Sequence, residues 1–351
     1  MKPRYVFASL TRITDLPEVT FSVRPLPRRE WETGDYVVGE VASPPHRLFL
    51  IELGNGRMVE VVEGDLIVGA FGVRYATLET VGGWQGIGHD QMMEAQTGAG
   101  LFGKATSRST LLPSPPSLVY KGHVLTSEKK ATMLDYAPQD PEREFDLPVV
   151  LLVGTSMSAG KTTSARVIVH LLKEAGLVVV GAKLTGAGRY RDILAMQDAG
   201  ADYIFDYVDA GLPSTVVSER EYRRALRNLL SRMGAVEADV VVAEVGASPL
   251  EPYNGAAAIE EVGPNVRCTV LSASDPYAVT GVFTAFDNRP DLVTGLATST
   301  QAGIELVEKL CSIEAINVLD RSSLPRLRSI LDERLDLSRL TDIRDQRAGH
   351  L

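Results

Sequence analysis

A chain of 351 residues is long enough for two domains, and 44% hydrophobic with 23% charged residues is the composition of an ordinary globular protein. A formal net charge of −9 argues against a general nucleic-acid binder, which needs a basic surface, but leaves room for a local pocket that holds one small anion. No apolar run reaches the roughly 20 residues that span a bilayer, no signal peptide is read at the start, and Cys268 and Cys311 stand far apart without metal or redox spacing. The expectation is a cytoplasmic protein with reduced thiols that binds neither nucleic acid nor membrane.

The first 140 residues carry strand and turn signals. Residues 35–41 are β-rich, and 47–53 and 57–62 flank Gly54-Asn55-Gly56, where Asn-Gly supplies the positive φ of a tight hairpin. A third strand is read at 66–71, a glycine-rich loop at 81–88 and a short helix at 90–99. Residues 110–146 are rich in proline, serine and charge and read as a link. A small β-rich domain, a barrel or sandwich, is expected over 1–140. Within it Arg74, Tyr75, Trp84, His89, Tyr120 and His123 stand near glycine-rich stretches and have the chemistry of a substrate wall; taken singly, each is more often a satisfied structural residue.

From 141 the pattern changes to alternating strands and helices. Strand-length apolar runs occur at 149–153, 178–182, 240–243, 266–272, 292–297 and 315–319. Helical stretches lie between them at 161–175, 190–199, 219–233, 275–286 and 301–310. This alternation is the signature of an α/β domain with a mostly parallel sheet, expected over 141–325. Residues 326–351 read as a C-terminal helix and tail.

The first of these strands runs into Gly154-Thr155-Ser156-Met157-Ser158-Ala159-Gly160-Lys161-Thr162-Thr163 and then into a helix. Glycines let backbone amides turn inward around phosphates, and the helix N-terminus adds a positive end. Lys161 is placed to reach β- and γ-phosphates, and the Thr162 hydroxyl to ligate Mg²⁺. Five residues separate the two glycines, one more than in the usual phosphate loop.

The segment resembles the phosphate loop of the dethiobiotin synthetase-like (SIMIBI-type) superfamily of P-loop NTPases. Ala182-Lys183-Leu184-Thr185-Gly186 resembles that family's Lys-Pro-x-x-Ser/Thr-Gly segment, shortened and without the proline. Residues 191–197 resemble its Ser-Asp-Ala-Leu-Ala-Leu-Gln segment, and 244–248 occupy the place of its Glu-Gly-Ala-Gly-Gly turn. The resemblance implies ATP and Mg²⁺ as cofactors, with Thr162, Asp192 and Glu244 around the metal. Asp198, Asp202 and Asp206 are neighbours that compete with Asp192 for that role. Lys183 matches the lysine that holds an anionic nucleophile near the γ-phosphate, which makes Lys161 and Lys183 the expected catalytic pair. The chain departs from the family in its 140 preceding residues and in lacking a clear adenine-binding segment. In architecture it is closer to bipartite P-loop proteins with an N-terminal domain.

Thr185, Gly186, Ser214 and Thr215 lie in loops after strands and are candidate substrate contacts; a turn with an N-cap is the plain alternative for the last two. Arg220, Arg223, Arg224 and Arg227 make one basic stripe on a helix, read first as a solvated face. The leading functional expectation is an ATP-dependent ligase-type enzyme that activates a carboxylate or carbamate of a small metabolite, working as a homodimer. A small-molecule kinase and a nucleotide-switched binding protein or metallochaperone are the alternatives.

Overall fold

The computed structural model describes residues 4–286 and 289–337, so the expected tail from 338 onward lies outside the described residues. The chain forms two compact units that alternate along the sequence. The first comprises 1–139, 186–191 and 207–225; the second comprises 140–185, 192–206 and 226–351.

The first unit is β-rich. Its strands are β1 (Tyr5–Phe7), β2 (Ser22–Arg24), β3 (Tyr36–Ser43), β4 (Ile51–Glu52), β5 (Met58–Val59), β6 (Leu66–Phe71), β7 (Val73–Tyr75), β8 (Thr80–Gly83), β9 (Met92–Thr97), β10 (Leu101–Arg108), β11 (Ser117–Thr126) and β12 (Lys129–Lys130). The order β6-β3-β11-β9-β10 closes on itself, because β10 also pairs with β6 in parallel. A five-stranded ring results, and closure removes the open edges that a flat sheet would leave. Val37, Val41, Ile67, Phe71, Met93, Ala95, Phe102, Leu118 and Tyr120 are buried together as its core. The Asn-Gly turn does join a hairpin, but its strands β4 and β5 are only two residues each.

Three expectations for this half are corrected. The helix read at 90–99 is strand β9: Met93 and Ala95 are buried while Met92 and Glu94 are less so, a period of two that pairing with β10 and β11 enforces over the helix propensity of Met, Glu and Ala. The glycine-rich loop at 81–88 begins as strand β8. The presumed link at 110–146 contains β11, the ten-residue strand at the centre of the ring.

A buried polar cluster sits beside this core. Asp35 accepts from the Glu32 amide at 2.7 Å and pairs with Lys130 at 3.0 Å, and His123 Nε2 donates to it at 3.1 Å. With Nε2 donating, His123 Nδ1 accepts from the Tyr120 hydroxyl at 2.5 Å. Burial pushes the Tyr120 phenol up to about 12. Trp84 donates to Thr33 and lies under the Arg28 guanidinium, Arg74 is paired with Glu79, and Tyr75 and His89 are exposed.

The second unit is a six-stranded parallel sheet with flanking helices. Its strands are β13 (Val149–Gly154), β14 (Val179–Thr185), β15 (Tyr203–Asp206), β16 (Val240–Val245), β17 (Val266–Ala273) and β18 (Leu292–Gly295), in the order β15-β14-β16-β13-β17-β18. The helices are α1 (Lys161–Glu174), α2 (Tyr190–Asp198), α3 (Glu219–Gly234), α4 (Gly255–Val262), α5 (Pro276–Phe286), α6 (Gln301–Cys311) and α7 (Leu324–Leu335); α2 and α3 begin in chain segments of the first unit. Strands β13, β14 and β16 are buried along their whole length, as strands covered on both faces must be. The strand expected at 315–319 reduces to one bridge, Val293 to Ala315, whereas the edge strand β15 and helix α4 had no sequence signal strong enough to read. Among the described residues no helix is long and apolar enough to cross a membrane, and both cysteines are free.

Candidate functional site

The phosphate-loop sequence folds as strand, loop and helix, with β13 ending at Gly154 and α1 starting at Lys161. Gly160 holds φ +105° at the helix start, a conformation that side chains resist, and a Cβ there would lie 3.1 Å from the Cα of Gly295. Gly295, at the end of β18, has φ +94°, and its Cβ would lie 2.2 Å from the Ala159 carbonyl oxygen. The two glycines therefore let the loop rest directly on the backbone that follows β18. On the other side, Thr155 is fixed by its amide to the Ser272 carbonyl and by its hydroxyl to Ser274 at 3.1 Å.

Lys161 is 2% exposed, and its ammonium donates to the Ser156 carbonyl at 2.6 Å, inside its own loop. Burial lowers its pKa from the ordinary 10.5, the Glu244 carboxylate opposes that shift and the Lys183 charge adds to it. A buried cation whose contact is a neutral carbonyl is matched to an incoming phosphate, which supplies the missing charge. Thr162, next on the helix, donates from Oγ1 to Glu244 Oε2 at 3.0 Å, and Glu244 is 3% exposed at the end of β16.

Register explains why the remaining charges converge. Lys183 on β14 is the cross-strand neighbour of Glu244 on β16 and of Asp206 on β15, so three charged residues form one row near the carboxyl ends of parallel strands. Lys183 is ion-paired with Asp192 in the first turn of α2. Burial lowers the Lys183 pKa, but Asp192, Glu244 and Asp206 together outweigh it and hold it above the ordinary value.

A hydroxyl and a buried carboxylate side by side are hard oxygen donors of the kind Mg²⁺ takes, so Thr162 and Glu244 are the residues that would hold it. Asp192 stands with Lys183 in this structure. The other loop residues follow the chain: Ser156 and Ala159 are buried, Met157 and Thr163 half-buried and Ser158 exposed. Thr185 donates its hydroxyl to the Gly246 carbonyl within the second unit. Gly186, Ser214 and Thr215 belong to the first unit, where the Thr215 hydroxyl accepts from the Gly186 amide at 3.0 Å and Ser214 donates to the Val73 carbonyl at 2.6 Å. In the basic stripe, Arg223 pairs with Glu219 and Arg227 with Glu261.

Sequence reasoning missed two parts of this arrangement. Asp206 was only one of several nearby acids, and what singles it out, its register beside Lys183, belongs to a strand that was not read. Gly295 lies about 140 residues from the loop it supports, and nothing local in 295–299 signals that contact.

No protein-family model matches the chain, and no curated protein matches it. Among solved structures, the signal recognition particle receptor FtsY from Elizabethkingia anophelis aligns at 15% identity and a TM-score of 0.35, over 54% of this chain and 68% of that one. HypB from Helicobacter pylori, in complex with nickel, aligns at 17% identity and 0.34, over 54% and 88%. A ParA family ATPase from Chlorobium tepidum aligns at 12% identity and 0.30, over 55% and 92%. The second unit has a P-loop NTPase fold on its own features: the strand–loop–helix, the parallel sheet and the Thr162–Glu244 pair.

Proposed function

We propose that the second unit binds a nucleoside triphosphate with Mg²⁺ and cleaves its γ-phosphate, and that the rest of the chain responds to the state of that site. The observation that carries this reading is the Thr162–Glu244 hydrogen bond beside the buried, carbonyl-bound Lys161. Mg²⁺, when bound, would neutralise charge on the phosphate oxygens. Loop amides and the start of α1 face the phosphates, and Lys161 leaves the Ser156 carbonyl for a phosphate oxygen. Lys183 is held cationic by Asp192 on one side and Glu244 on the other, ready to meet charge that builds on the γ-phosphate. In hydrolysis a water oxygen bonds to the γ-phosphorus as the bond to the β–γ bridging oxygen breaks, and the water's proton is released.

Because a γ-phosphate oxygen would share the ammonium that Asp192 holds, nucleotide binding would change the load on the first turn of α2. That is the basis of a nucleotide-dependent switch. A second reading keeps the same site but gives the phosphoryl group to a small carboxylate-bearing metabolite. The buried Lys183, well suited to draw in a carboxylate, favours it.

Phosphate release by the full chain with ATP and with GTP, over a Mg²⁺ titration, tests the proposal, with Lys161→Ala as control. Turnover that Lys161→Ala leaves intact would overturn it. Following the phosphorus by NMR in the presence of a metabolite pool separates free phosphate from a phosphorylated or condensed product.

A further inference from the structure

Glu52 ends the two-residue strand β4, is 1% exposed and accepts three hydrogen bonds. The Ser9 hydroxyl donates to Oε2 at 2.6 Å, the Tyr190 amide to Oε2 at 2.8 Å and the Arg191 amide to Oε1 at 2.7 Å. These amides open helix α2, where backbone N–H groups have no carbonyl four residues back within the helix. A carboxylate in this place satisfies both and meets the positive end of the helix, so the contact is charge-assisted twice over. Arg12 braces the same turn: its guanidinium lies 4.6 Å over the Tyr190 ring and pairs with Asp209 at 2.6 Å. All of these groups belong to the first unit.

The next residue after this clamped pair is Asp192, whose carboxylate holds Lys183. One peptide separates Asp192 from an amide that donates to Glu52, so the first turn of α2 carries both contacts. We propose that Glu52 is a positioning residue for the phosphate site: it fixes the first turn of α2 so that Asp192 presents Lys183 to the γ-phosphate. It acts through Asp192 and touches no substrate. Ser9 supports it by filling one oxygen of the carboxylate.

This inference rests on the reading of Lys183 as a γ-phosphate ligand, and the experiment separates the two. Steady-state hydrolysis is measured for the full chain as wild type, Glu52→Gln, Asp192→Asn and the double variant, with Lys161→Ala as reference. Glu52→Gln keeps an acceptor but loses the charge, and should lower kcat about tenfold while KM for nucleotide changes less than about twofold. In the Asp192→Asn background it should cause no further loss, because its effect passes through that carboxylate. A merely structural cap would lower both backgrounds by the same factor, and that result, or an unchanged kcat, overturns the inference alone. Absence of any Lys161-dependent turnover in the wild type overturns the phosphate-site reading, and this inference with it. If Glu52→Gln does not fold, Ser9→Ala takes its place, with a smaller loss that must likewise vanish beside Asp192→Asn.

Discussion

Thr162 Oγ1 donates a 3.0 Å hydrogen bond to Glu244 Oε2, tying the first turn of α1 to the end of the adjacent strand β16. The pair is set by register: Glu244 is the parallel partner of Leu152, two residues before the loop begins, which brings the acid under the start of the helix.

Lys161→Ala should reduce kcat/KM for triphosphate hydrolysis by about a hundredfold or more, since it removes a desolvated positive charge from the transferring group. Glu244→Gln should raise the Mg²⁺ concentration for half-maximal activity by about tenfold, because the amide is a weaker ligand of the same shape. Kinetic Mg²⁺ titrations that superimpose for wild type and Glu244→Gln would remove Glu244 from the metal site.

Gly295→Ala is expected to destabilise the second unit by about 2–4 kcal/mol. The added methyl meets the Ala159 carbonyl at 2.2 Å in a conformation already unfavourable for a side chain, and both neighbours are backbone. Urea unfolding and nucleotide affinity read the two consequences. A wild-type midpoint with wild-type affinity would show that the loop does not lean on this residue.

Asp35→Ala should cost about 1–3 kcal/mol, as it leaves the buried His123 Nε2 and the Glu32 amide without their acceptor. Lys130 keeps the Glu30 carbonyl and the Glu32 carboxylate. Asp35→Asn keeps an acceptor oxygen and should cost less. Denaturation curves for the two variants check the order; equal losses would mean that the charge contributes nothing.

Alkylation of the native protein near neutral pH should modify Cys311 and spare Cys268. Burial pushes the Cys268 thiol up to about 12, and it has no exposed surface, whereas Cys311 is half-buried at the end of α6. Peptide mapping after labelling, with and without denaturant, reads this directly. Rapid native labelling of Cys268 would contradict the packing of β17.

The α/β half was legible because its signals are local. A buried strand, a glycine loop and a helix start are contiguous in 149–163, and β13, α1, β16 and α6 fall within a few residues of their sequence expectations. The β-rich half was read only as a class. The ring depends on partners distant in sequence: β6 closes on β10, and β11 lies between β3 and β9. A segment such as 92–97, with helix-favouring residues, becomes a strand only once those partners are present. The site divides in the same way. Lys161 and Thr162 are motif residues, but the placing of Lys183 between Glu244 and Asp206 follows from strand register, which composition does not encode.

The interleaving of the two units bears on how the chain comes off the ribosome. Although the β-rich unit supplies the N-terminus, it is incomplete at residue 139, for the groups that satisfy Glu52 and Arg12 arrive only with 186–191 and 207–225. Until roughly 200 residues have emerged, Glu52 has the Ser9 hydroxyl but not the two α2 amides, and Arg12 lacks Asp209 and the Tyr190 ring. The set of contacts that completes the N-terminal unit therefore exists only after the phosphate loop has been synthesised, and a fragment that stops at residue 139 should unfold at lower urea than the full chain's β-rich unit.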